Sequence, residues 1–370
     1  MKYYIIAGEA SGDLHGSNLI KELKKLDQDS SIRSWGGDMM QAAGATVVKH
    51  YRDLAFMGFT EVIRNLPTIL DNLKFCKEDI SSFNPDVIIL VDYPGFNLRI
   101  AKWAKEKGYK VIYYISPQVW AWKESRVKTI RKTVDKMLVI LPFEKEFYRK
   151  WDYKVSYVGH PLVQVVNDFL ATHQDKIKKD LPIIALLPGS RKQEISKKLP
   201  IMLEAAKNFP GYHFIIAKAS SLDDEFYKPF IKDHPNVSSV RNETYRLLAS
   251  STAALVTSGT ATLETALFGV PEVVCYKGSS ISYQIAKRLI KIKYISLVNL
   301  IMDRQVVTEL IQDQLTPGNL VMELDKLLHN QAVISQVKKD YAELKDLLSE
   351  ETNASARAAQ EIIGFMQANA

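Results

Sequence analysis

The chain has little cysteine and no long apolar run, and both absences limit what it can be. Cys76 and Cys275 are the two cysteines among 370 residues, and they form neither a metal-ligand spacing nor a disulfide framework, so a reducing compartment is expected. No segment approaches the roughly 18 apolar residues of a membrane-spanning helix. The apolar run in the N-terminal segment MKYYIIAGEASG is too short for a signal peptide, and the segment predicts a first strand. A cytoplasmic protein is therefore expected.

The length and the net charge of the chain indicate its number of domains and the kind of partner that it binds. A chain of 370 residues predicts two domains, and its net charge of +7 favours an anionic partner. A nucleotide, a phospholipid surface and a nucleic acid all fit that charge. No recognised nucleic-acid-binding module is present, so no nucleic-acid partner is expected.

Polar residues follow the first predicted strand, Lys2 to Ala7. The loop Gly8 to Asp13 lies where open α/β sheets bind ligands, but it lacks the G-x-G-x-x-G spacing of a dinucleotide site. Glu9 and His15 are predicted to face that opening. Asp13 is predicted to cap a helix instead.

Asp92 follows the near-continuous apolar run DVIILV, which is typical of a central parallel strand. A carboxylate at the carboxyl end of a buried strand suits general-base catalysis. Capping of the next helix, from Leu98 to Lys107, is the alternative.

The stretch Ala253 to Pro271 predicts a short strand at 253–256, a small-residue turn, and a helix at 261–268 that ends at Gly269. The turn offers hydroxyls and free backbone N–H groups at a helix N-terminus, which favours phosphate binding. A well-capped βα unit without a ligand is the alternative. Arg191 follows another apolar strand and is predicted to supply a fixed cation for a diphosphate.

Apolar residues recur at helical spacing between Phe56 and Phe75, flanked by Arg64, Lys74 and Lys77. The pattern alone favours a helix that faces the core. The alternative is an exposed apolar patch with a basic rim, as on a membrane-surface element.

A series of short motifs runs in order from Ala7 to Leu300: AGEASGD, the aspartate of VDYPGFN, SPQVWAW, LPFEKEFY, VGHP, LLPGSR, SGTATLE and SLVNL. Each alone is weak, but together the chain resembles the lipid-A-disaccharide synthases over both of its halves. Two departures occur: Gly95 stands where the family often has a second acid, and Glu272 where it usually has an apolar residue.

The resemblance implies an inverting transfer of the sugar of UDP-2,3-diacylglucosamine to the 6-hydroxyl of 2,3-diacylglucosamine 1-phosphate. The products would be a β-1,6-linked disaccharide phosphate and UDP. Asp92 is implied as the general base. The residues implied for the nucleotide sugar are Arg191, Ser258, Gly259, Thr260, Glu264 and Asn299, and those for the acceptor side are Glu9, Ser11 and His15. No metal-binding Asp-x-Asp motif is evident at these strand ends, so neither a metal nor a cofactor is expected.

The resemblance also changes the prediction for the apolar stretch, because both substrates carry acyl chains. An exposed face on the inner leaflet of the inner membrane is then favoured, and the protein is expected to be peripheral there. The predicted membrane patch comprises Phe56, Met57, Phe59, Val62, Ile63, Leu66, Ile69, Leu70 and Leu73.

The implied fold class is α/β, with two facing Rossmann-like domains of the GT-B glycosyltransferase type. The predicted domains are an acceptor and membrane-facing domain at 1–165, a UDP-sugar domain at 166–345, and a C-terminal helix at 346–370 that returns to the first domain. The resemblance implies a homodimer in which this tail is exchanged, and a monomer that buries the same helix face is the alternative.

Three other functions fit part of the sequence. A UDP-sugar epimerase of similar fold shares the nucleotide half but needs no apolar, basic membrane face. A non-catalytic nucleotide- or nucleic-acid-binding protein needs no acid at position 92. A peptidoglycan-type glycosyltransferase would differ in its acceptor.

Overall fold

The first sheet is parallel throughout. The computed structural model describes residues 1–54, 66–173, 175–279, 292–349 and 353–369. The strands are β1 (Lys2–Ala7), β2 (Ser31–Gly36), β3 (Thr46–His50), β4 (Val87–Val91), β5 (Lys110–Tyr114), β6 (Lys136–Val139) and β7 (Ser156–Tyr157). They lie in the order β3-β2-β1-β4-β5-β6-β7. The direction of winding reverses between β1 and β4, so the loops after these strands diverge and leave an opening at their carboxyl ends.

Helices connect these strands. They are α1 (Ala10–Leu26), α2 (Asp38–Ala42), α3 (Leu66–Phe83), α4 (Pro94–Glu106), α5 (Val119–Trp122), α6 (Val127–Thr133) and α7 (Pro142–Arg149). The predicted strands at 2–7 and 86–91 are confirmed. All five residues of β4 are buried, because helices cover both faces of a parallel sheet.

Asp13 caps a helix, but not the one that contains it. Its carboxylate accepts hydrogen bonds from the backbone N–H groups of Gly37, Met39 and Met40, at 2.7, 3.2 and 3.1 Å. These donors lie at the start of α2, where no intrahelical partner exists. The predicted capping role is therefore confirmed, and it joins α1 to α2.

The second sheet is also parallel. Its strands are β8 (Ile183–Leu187), β9 (His213–Lys218), β10 (Val237–Arg241), β11 (Ser251–Thr257), β12 (Glu272–Tyr276) and β13 (Thr308–Ile311). They lie in the order β10-β9-β8-β11-β12-β13, so the winding reverses between β8 and β11. The two sheets thus repeat one topology, which is the doubly wound arrangement of nucleotide-binding domains.

The helices of this part begin with α8 (Pro161–Thr172). They continue as α9 (Lys192–Ala206), α10 (Asp224–Ile231), α11 (Thr244–Ala249), α12 (Thr260–Leu267), α13 (Leu297–Met302), α14 (Pro317–His329) and α15 (Gln331–Ser349). The strand and helix predicted for the stretch from Ala253 to Pro271 correspond to β11 and α12, each within a few residues of the predicted bounds.

The chain divides into two compact units. The first comprises Met1–Pro161 with Ser349–Ala370, and the second comprises Leu162–Leu348. The last helix, α16 (Ala354–Ala368), packs against α1 of the first unit. Its Glu361 carboxylate lies 2.7 Å from Lys136 Nζ and accepts a hydrogen bond of 3.1 Å from Ser156 Oγ.

The described part of the predicted membrane patch is divided between core and surface. Leu73 is 7% exposed and belongs to the core of the first unit, so its assignment to an exposed face is wrong. Ile69 packs partly against the same core, whereas Leu70 is 55% exposed. The division follows helix geometry, because Ile69 and Leu73 are four positions apart and share one face of α3, whereas Leu70 lies about 100° around the helix from Ile69. Phe56, Met57, Phe59, Val62 and Ile63 and the side chain of Leu66 lie outside the described residues.

No helix in the described ranges is both long enough and apolar enough to cross a membrane.

Candidate functional site

The carboxyl ends of β8 and β11 frame a cavity of about 450 Å³ in the second unit. Its walls come from the loops that follow β8, β9, β10 and β11. This is the point at which the winding of the sheet reverses, where open α/β sheets bind their ligands.

The turn between β11 and α12 supplies one wall of the cavity. Ser258, Gly259 and Thr260 line it together, as the sequence predicted. Gly259 is the N-cap of α12 and has a φ of +149°, which side chains rarely adopt. No side chain caps this helix, so its first N–H groups and its dipole face the cavity. An anion is the ligand that such a wall favours.

Arg191 lies opposite, on the loop after β8, and lines the same cavity. Its Nη1 donates a hydrogen bond of 3.2 Å to Glu194 Oε1. The guanidinium is 59% exposed, so it remains accessible to a ligand. Gly189, with a φ of +120°, makes the tight turn that carries the chain from the strand into this loop. The structure thus places the predicted cation and the predicted helix N-terminus around one space.

Asn299 is buried and does not line the cavity. Its Oδ1 accepts from the N–H groups of Val306 and Val307, and its Nδ2 donates to the Val307 carbonyl and to Glu309 Oε1. All of its hydrogen-bonding capacity is therefore used within the protein.

Asn299 nevertheless connects to the cavity through hydrogen bonds. It fixes the Glu309 carboxylate, which accepts from the N–H of Ile295 at 2.9 Å. The carbonyl of Ile295 in turn accepts from Ser258 Oγ at 2.9 Å. Asn299 thus stabilises the cavity wall at Ser258 through this chain of hydrogen bonds, without lining the cavity itself.

Glu264 lies on α12 but is not part of the cavity lining. Its Oε1 accepts a hydrogen bond of 2.6 Å from the Tyr245 hydroxyl. Burial raises the pKa of Glu264, and the Tyr245 bond opposes that rise. The carboxylate therefore has one oxygen engaged by a neighbour on α11.

Sequence reasoning missed several residues that line the cavity, among them Glu194, Lys218, Asn242 and Thr244. Lys218 ends β9 and pairs with Asp224 at 2.8 Å, and Asp224 also accepts from Arg241 at 2.6 Å. The signal that could have found them is the βα alternation itself, since Lys218 and Asn242 stand at or just after the carboxyl ends of strands.

The corresponding opening in the first unit contains Asp92. Asp92 follows β4, whose Val91 pairs with Ala7 at the end of β1. Its backbone has a φ of +45°. The carbonyl accepts hydrogen bonds from Asn97 Nδ2, at 2.8 Å, and from the Tyr113 hydroxyl. The backbone that carries the carboxylate is thereby fixed, although no side-chain hydrogen bond of Asp92 caps α4.

Burial raises the pKa of Asp92 to about 6, and the negative charge of Glu9 adds to that rise. A hydrogen bond from the Tyr93 N–H opposes it. The structure thus brings Glu9 and Asp92 together, as expected for residues that follow adjacent strands. A carboxylate with such a pKa is more basic than an ordinary aspartate and still largely ionised at neutral pH.

Of the other residues predicted for the acceptor side, Ser11 is exposed and His15 is buried. His15 Nδ1 has no hydrogen-bond partner among the described residues. Burial lowers the pKa of His15 to about 4 and that of His160, with a further contribution from His15, to about 3. Both imidazoles are neutral at physiological pH. His15 is buried, and its predicted place on the acceptor side stays a prediction.

The two departures from the family pattern lie in different surroundings. Gly95 is exposed, and a β-carbon added there would meet nothing within 4 Å. Glu272 is 1% exposed, and neither of its carboxyl oxygens has a hydrogen-bond partner among the described residues. Burial raises the pKa of the Glu272 carboxyl well above its usual range, which favours its neutral form.

Within the described ranges, no three His, Cys, Asp or Glu side chains cluster as metal ligands would.

The chain is similar in sequence to known proteins. A family model described as Lipid-A-disaccharide synthetase matches residues 3–363. The lipid-A-disaccharide synthase of Syntrophus aciditrophicus (strain SB) is 41% identical over 354 residues, which cover 93% of this chain and 92% of that relative.

Solved structures resemble the chain at low sequence identity. The UDP-GlcNAc 2-epimerase from Neisseria meningitidis bound to UDP-GlcNAc is 13% identical, with a TM-score of 0.66 over 100% of both chains. The calicheamicin glycosyltransferase CalG4 is 18% identical, with a TM-score of 0.63 over 99% of this chain and 98% of that one. These likenesses show the fold, which is the two-domain α/β architecture of GT-B glycosyltransferases.

Proposed function

The chain belongs to the family of lipid-A-disaccharide synthases, glycosyltransferases of lipid A biosynthesis, and from this premise we propose its substrates and mechanism. The donor is UDP-2,3-diacylglucosamine and the acceptor is 2,3-diacylglucosamine 1-phosphate. The products are the β-1,6-linked disaccharide 1-phosphate and UDP. The observation that carries the proposal is the cavity that joins Arg191 to the N-terminus of α12 in the second unit.

The second unit holds the nucleotide. The diphosphate lies on Ser258, Gly259 and Thr260, where the first N–H groups of α12 donate to it, and Arg191 supplies a charge-assisted contact. These groups stabilise the negative charge that develops on UDP as it leaves. Glu264 contributes its second oxygen on the ribose or uracil side. Asn299 acts through Glu309 and Ile295 by holding Ser258 in place.

The first unit supplies the base. Asp92 takes the proton from the 6-hydroxyl of the acceptor while the oxygen attacks the anomeric carbon of the donor. The carbon is inverted in a single displacement, so an α-linked donor gives a β-linked product without a covalent enzyme intermediate. Glu9 and Ser11 lie at the same end of the sheet and contact the acceptor sugar.

No metal ion takes part in this mechanism, because Arg191 and the helix N-terminus provide the positive charge that the leaving diphosphate requires. Turnover that persists at its full rate in excess EDTA is the expected result.

A UDP-sugar epimerase remains the alternative that the fold alone permits, since one solved neighbour of this fold is such an enzyme bound to UDP-GlcNAc. The family membership of the chain favours glycosyl transfer over epimerisation. An epimerase would convert its UDP-sugar without any acceptor.

We further propose that the protein is peripheral on the cytoplasmic face of the inner membrane. Leu70 and Phe75 are 55% and 43% exposed on α3, next to Lys74. Together with the apolar residues at 56–63, they would bury apolar surface in the leaflet while basic side chains contact anionic headgroups. The acyl chains of both substrates could then stay in the bilayer during the reaction.

The direct test is incubation of the protein with UDP-2,3-diacylglucosamine and 2,3-diacylglucosamine 1-phosphate in detergent micelles. Mass spectrometry should detect UDP and the disaccharide 1-phosphate in equal amounts. The donor alone serves as the control. Conversion of the donor to an epimer in that control, or failure to form a disaccharide with both substrates, would reject the proposal.

A further inference from the structure

A second cation lies at the loop that we assign to the diphosphate. Lys198 on α9 is 2% exposed, whereas Lys197 beside it is exposed. A β-carbon added to Gly189 would lie 3.6 Å from Lys198 Nζ and 2.7 Å from Glu194 Oε2. The ammonium and the carboxylate therefore approach the same point of the turn that follows β8. Lysine is among the residues least often buried without a charged neighbour.

Glu194 lies between two cations. Its Oε1 accepts from Arg191 Nη1 at 3.2 Å, while its Oε2 is directed toward the Gly189 turn that Lys198 also reaches. Burial lowers the pKa of Lys198, and the charge of Glu194 opposes that change. The positive charge of Arg191 also lowers the pKa of Lys198. Lys198 thus adds a buried positive charge behind the cavity wall that Arg191 and Glu194 form.

This arrangement raises a problem of charge balance when a diphosphate binds. If Arg191 turns from Glu194 to the phosphates, Glu194 stays beside the incoming anion without this partner. Like charges at such distances repel strongly where solvent screens them little. A positive charge near Glu194 would offset this repulsion, and Lys198 approaches the same turn as the Glu194 carboxylate.

We propose that Lys198 is a positioning residue for the diphosphate, which balances the charge of Glu194 so that Arg191 is released to the ligand. The inference rests on the proposed function only in taking the anion to be UDP. Lys198 does not touch the phosphates in this arrangement. It keeps the site net positive after Arg191 has moved.

The experiment compares UDP affinities by isothermal titration calorimetry. Lys198→Met removes the charge and keeps an unbranched apolar side chain in the buried position. We expect UDP to bind about tenfold more weakly to this variant. Lys197→Met, the matched control on the same helix, should stay within about twofold of the wild type, because an exposed charge is screened by solvent.

A double variant separates charge balance from packing. If Lys198 acts by neutralising Glu194, then Glu194→Gln in the Lys198→Met background should restore UDP affinity to within about threefold of the wild type. A purely structural lysine would not be rescued by this change. Lys198→Gln replaces Lys198→Met if the latter does not melt cooperatively.

The outcomes are distinct. Unchanged UDP affinity in Lys198→Met overturns the inference, and so does a double variant that binds no better than Lys198→Met. A wild-type protein that does not bind UDP at all would instead reject the proposed function.

Discussion

The carboxylate of Asp92 is positioned by its backbone. The carbonyl of Asp92 accepts from Asn97 and Tyr113, and the residue has a left-handed φ of +45°, which is costly for an aspartate outside such a framework. Asp92→Asn keeps this backbone arrangement and removes the basicity. We expect turnover to fall by on the order of 10²- to 10⁴-fold, with UDP affinity and the thermal midpoint unchanged. Near-normal turnover would show that Asp92 is not the base.

Glu9 should set the pH dependence of the reaction. Asp92 accepts a proton only when ionised, so activity rises as pH increases through its pKa of about 6. Glu9→Gln removes the negative charge that helps to raise this pKa, so the acidic limb of the kcat/KM profile should move to lower pH. Glu22→Gln, farther along α1 where Glu22 pairs with Lys25, is the control and should leave the profile in place. An unmoved limb in Glu9→Gln would contradict the coupling.

Glu272 should make the protein less stable as pH rises. Its folded-state pKa lies well above the ordinary value of 4.5, so the folded state keeps a proton that the unfolded chain loses. Above about pH 4.5, the free energy of unfolding should therefore fall as pH rises toward the folded-state pKa. Glu272→Met removes this loss and the unpartnered buried carboxyl. It should raise the thermal midpoint more at pH 7.5 than at pH 4.5, because the cost of the unpartnered carboxyl is present at both pH values.

Glu272→Gln separates the two contributions in that experiment. The amide does not titrate, but it remains a buried polar group without a described partner. The pH dependence should therefore disappear without the full gain in stability. A wild-type midpoint that falls no faster than that of Glu272→Met between pH 4.5 and 7.5 would show that the carboxyl is not protonated in the folded state.

At the scale of elements, α3 has one face that is buried in the core and one that is exposed. Leu73 and Cys76 pack in the core, while Leu70 points to solvent. We expect the combined replacement of Phe56, Met57, Phe59 and Leu70 by serine to weaken binding to phosphatidylglycerol-containing vesicles at least tenfold, since each buried Å² of apolar surface contributes about 25 cal/mol. The thermal midpoint should stay near that of the wild type.

Leu73→Ser provides the opposite control on the same helix. Truncating a buried leucine and introducing a hydroxyl should cost about 3 kcal/mol or more of stability without a specific effect on vesicle binding. If the four-serine variant loses its cooperative melt in the same way, its residues belong to a core and the membrane proposal fails.

The last helix is held to the first unit by buried apolar contacts and by Glu361. Ala358 and Ile362 are fully buried, and Glu361 bridges Lys136 and Ser156. Under the proposed exchange of this helix between two subunits, a chain that ends before Asn353 should be monomeric by light scattering and should melt at a lower temperature. A truncated chain that folds, judged by circular dichroism, and remains dimeric would exclude exchange.

At the scale of the whole molecule, each unit repeats one doubly wound sheet and uses the same place in it. The first unit presents Glu9 and Asp92 where β1 and β4 end, and the second presents Arg191 and the turn at Gly259 where β8 and β11 end. Parallel strands joined by right-handed crossovers produce this opening wherever the winding reverses. One topology thus positions the proposed base in one unit and the proposed anion site in the other.

Much of this was predictable from local patterns. Strands such as β4 are apolar along their whole length because both faces are covered, and the residue that follows such a strand is known from the sequence. Asp92, Arg191 and the turn from Ser258 to Thr260 were found in this way. The start of α1 was not found, since the helix begins at Ala10, inside the stretch from Gly8 to Asp13 that was predicted to be a loop. Its first turn contains glycine and serine, which are weak helix formers in isolation.

The sequence by itself determined the fold class, the family and the residues that follow each strand, because those depend on periodicity and on short motifs. Only the tertiary structure decided which side chains meet across separate segments. In the tertiary structure, the Asp13 carboxylate accepts a hydrogen bond at the start of α2. Asn299 forms hydrogen bonds with Val306, Val307 and Glu309. Leu73 is buried in the core. Such contacts depend on packing between elements distant in the chain, and no local pattern encodes the distance between them.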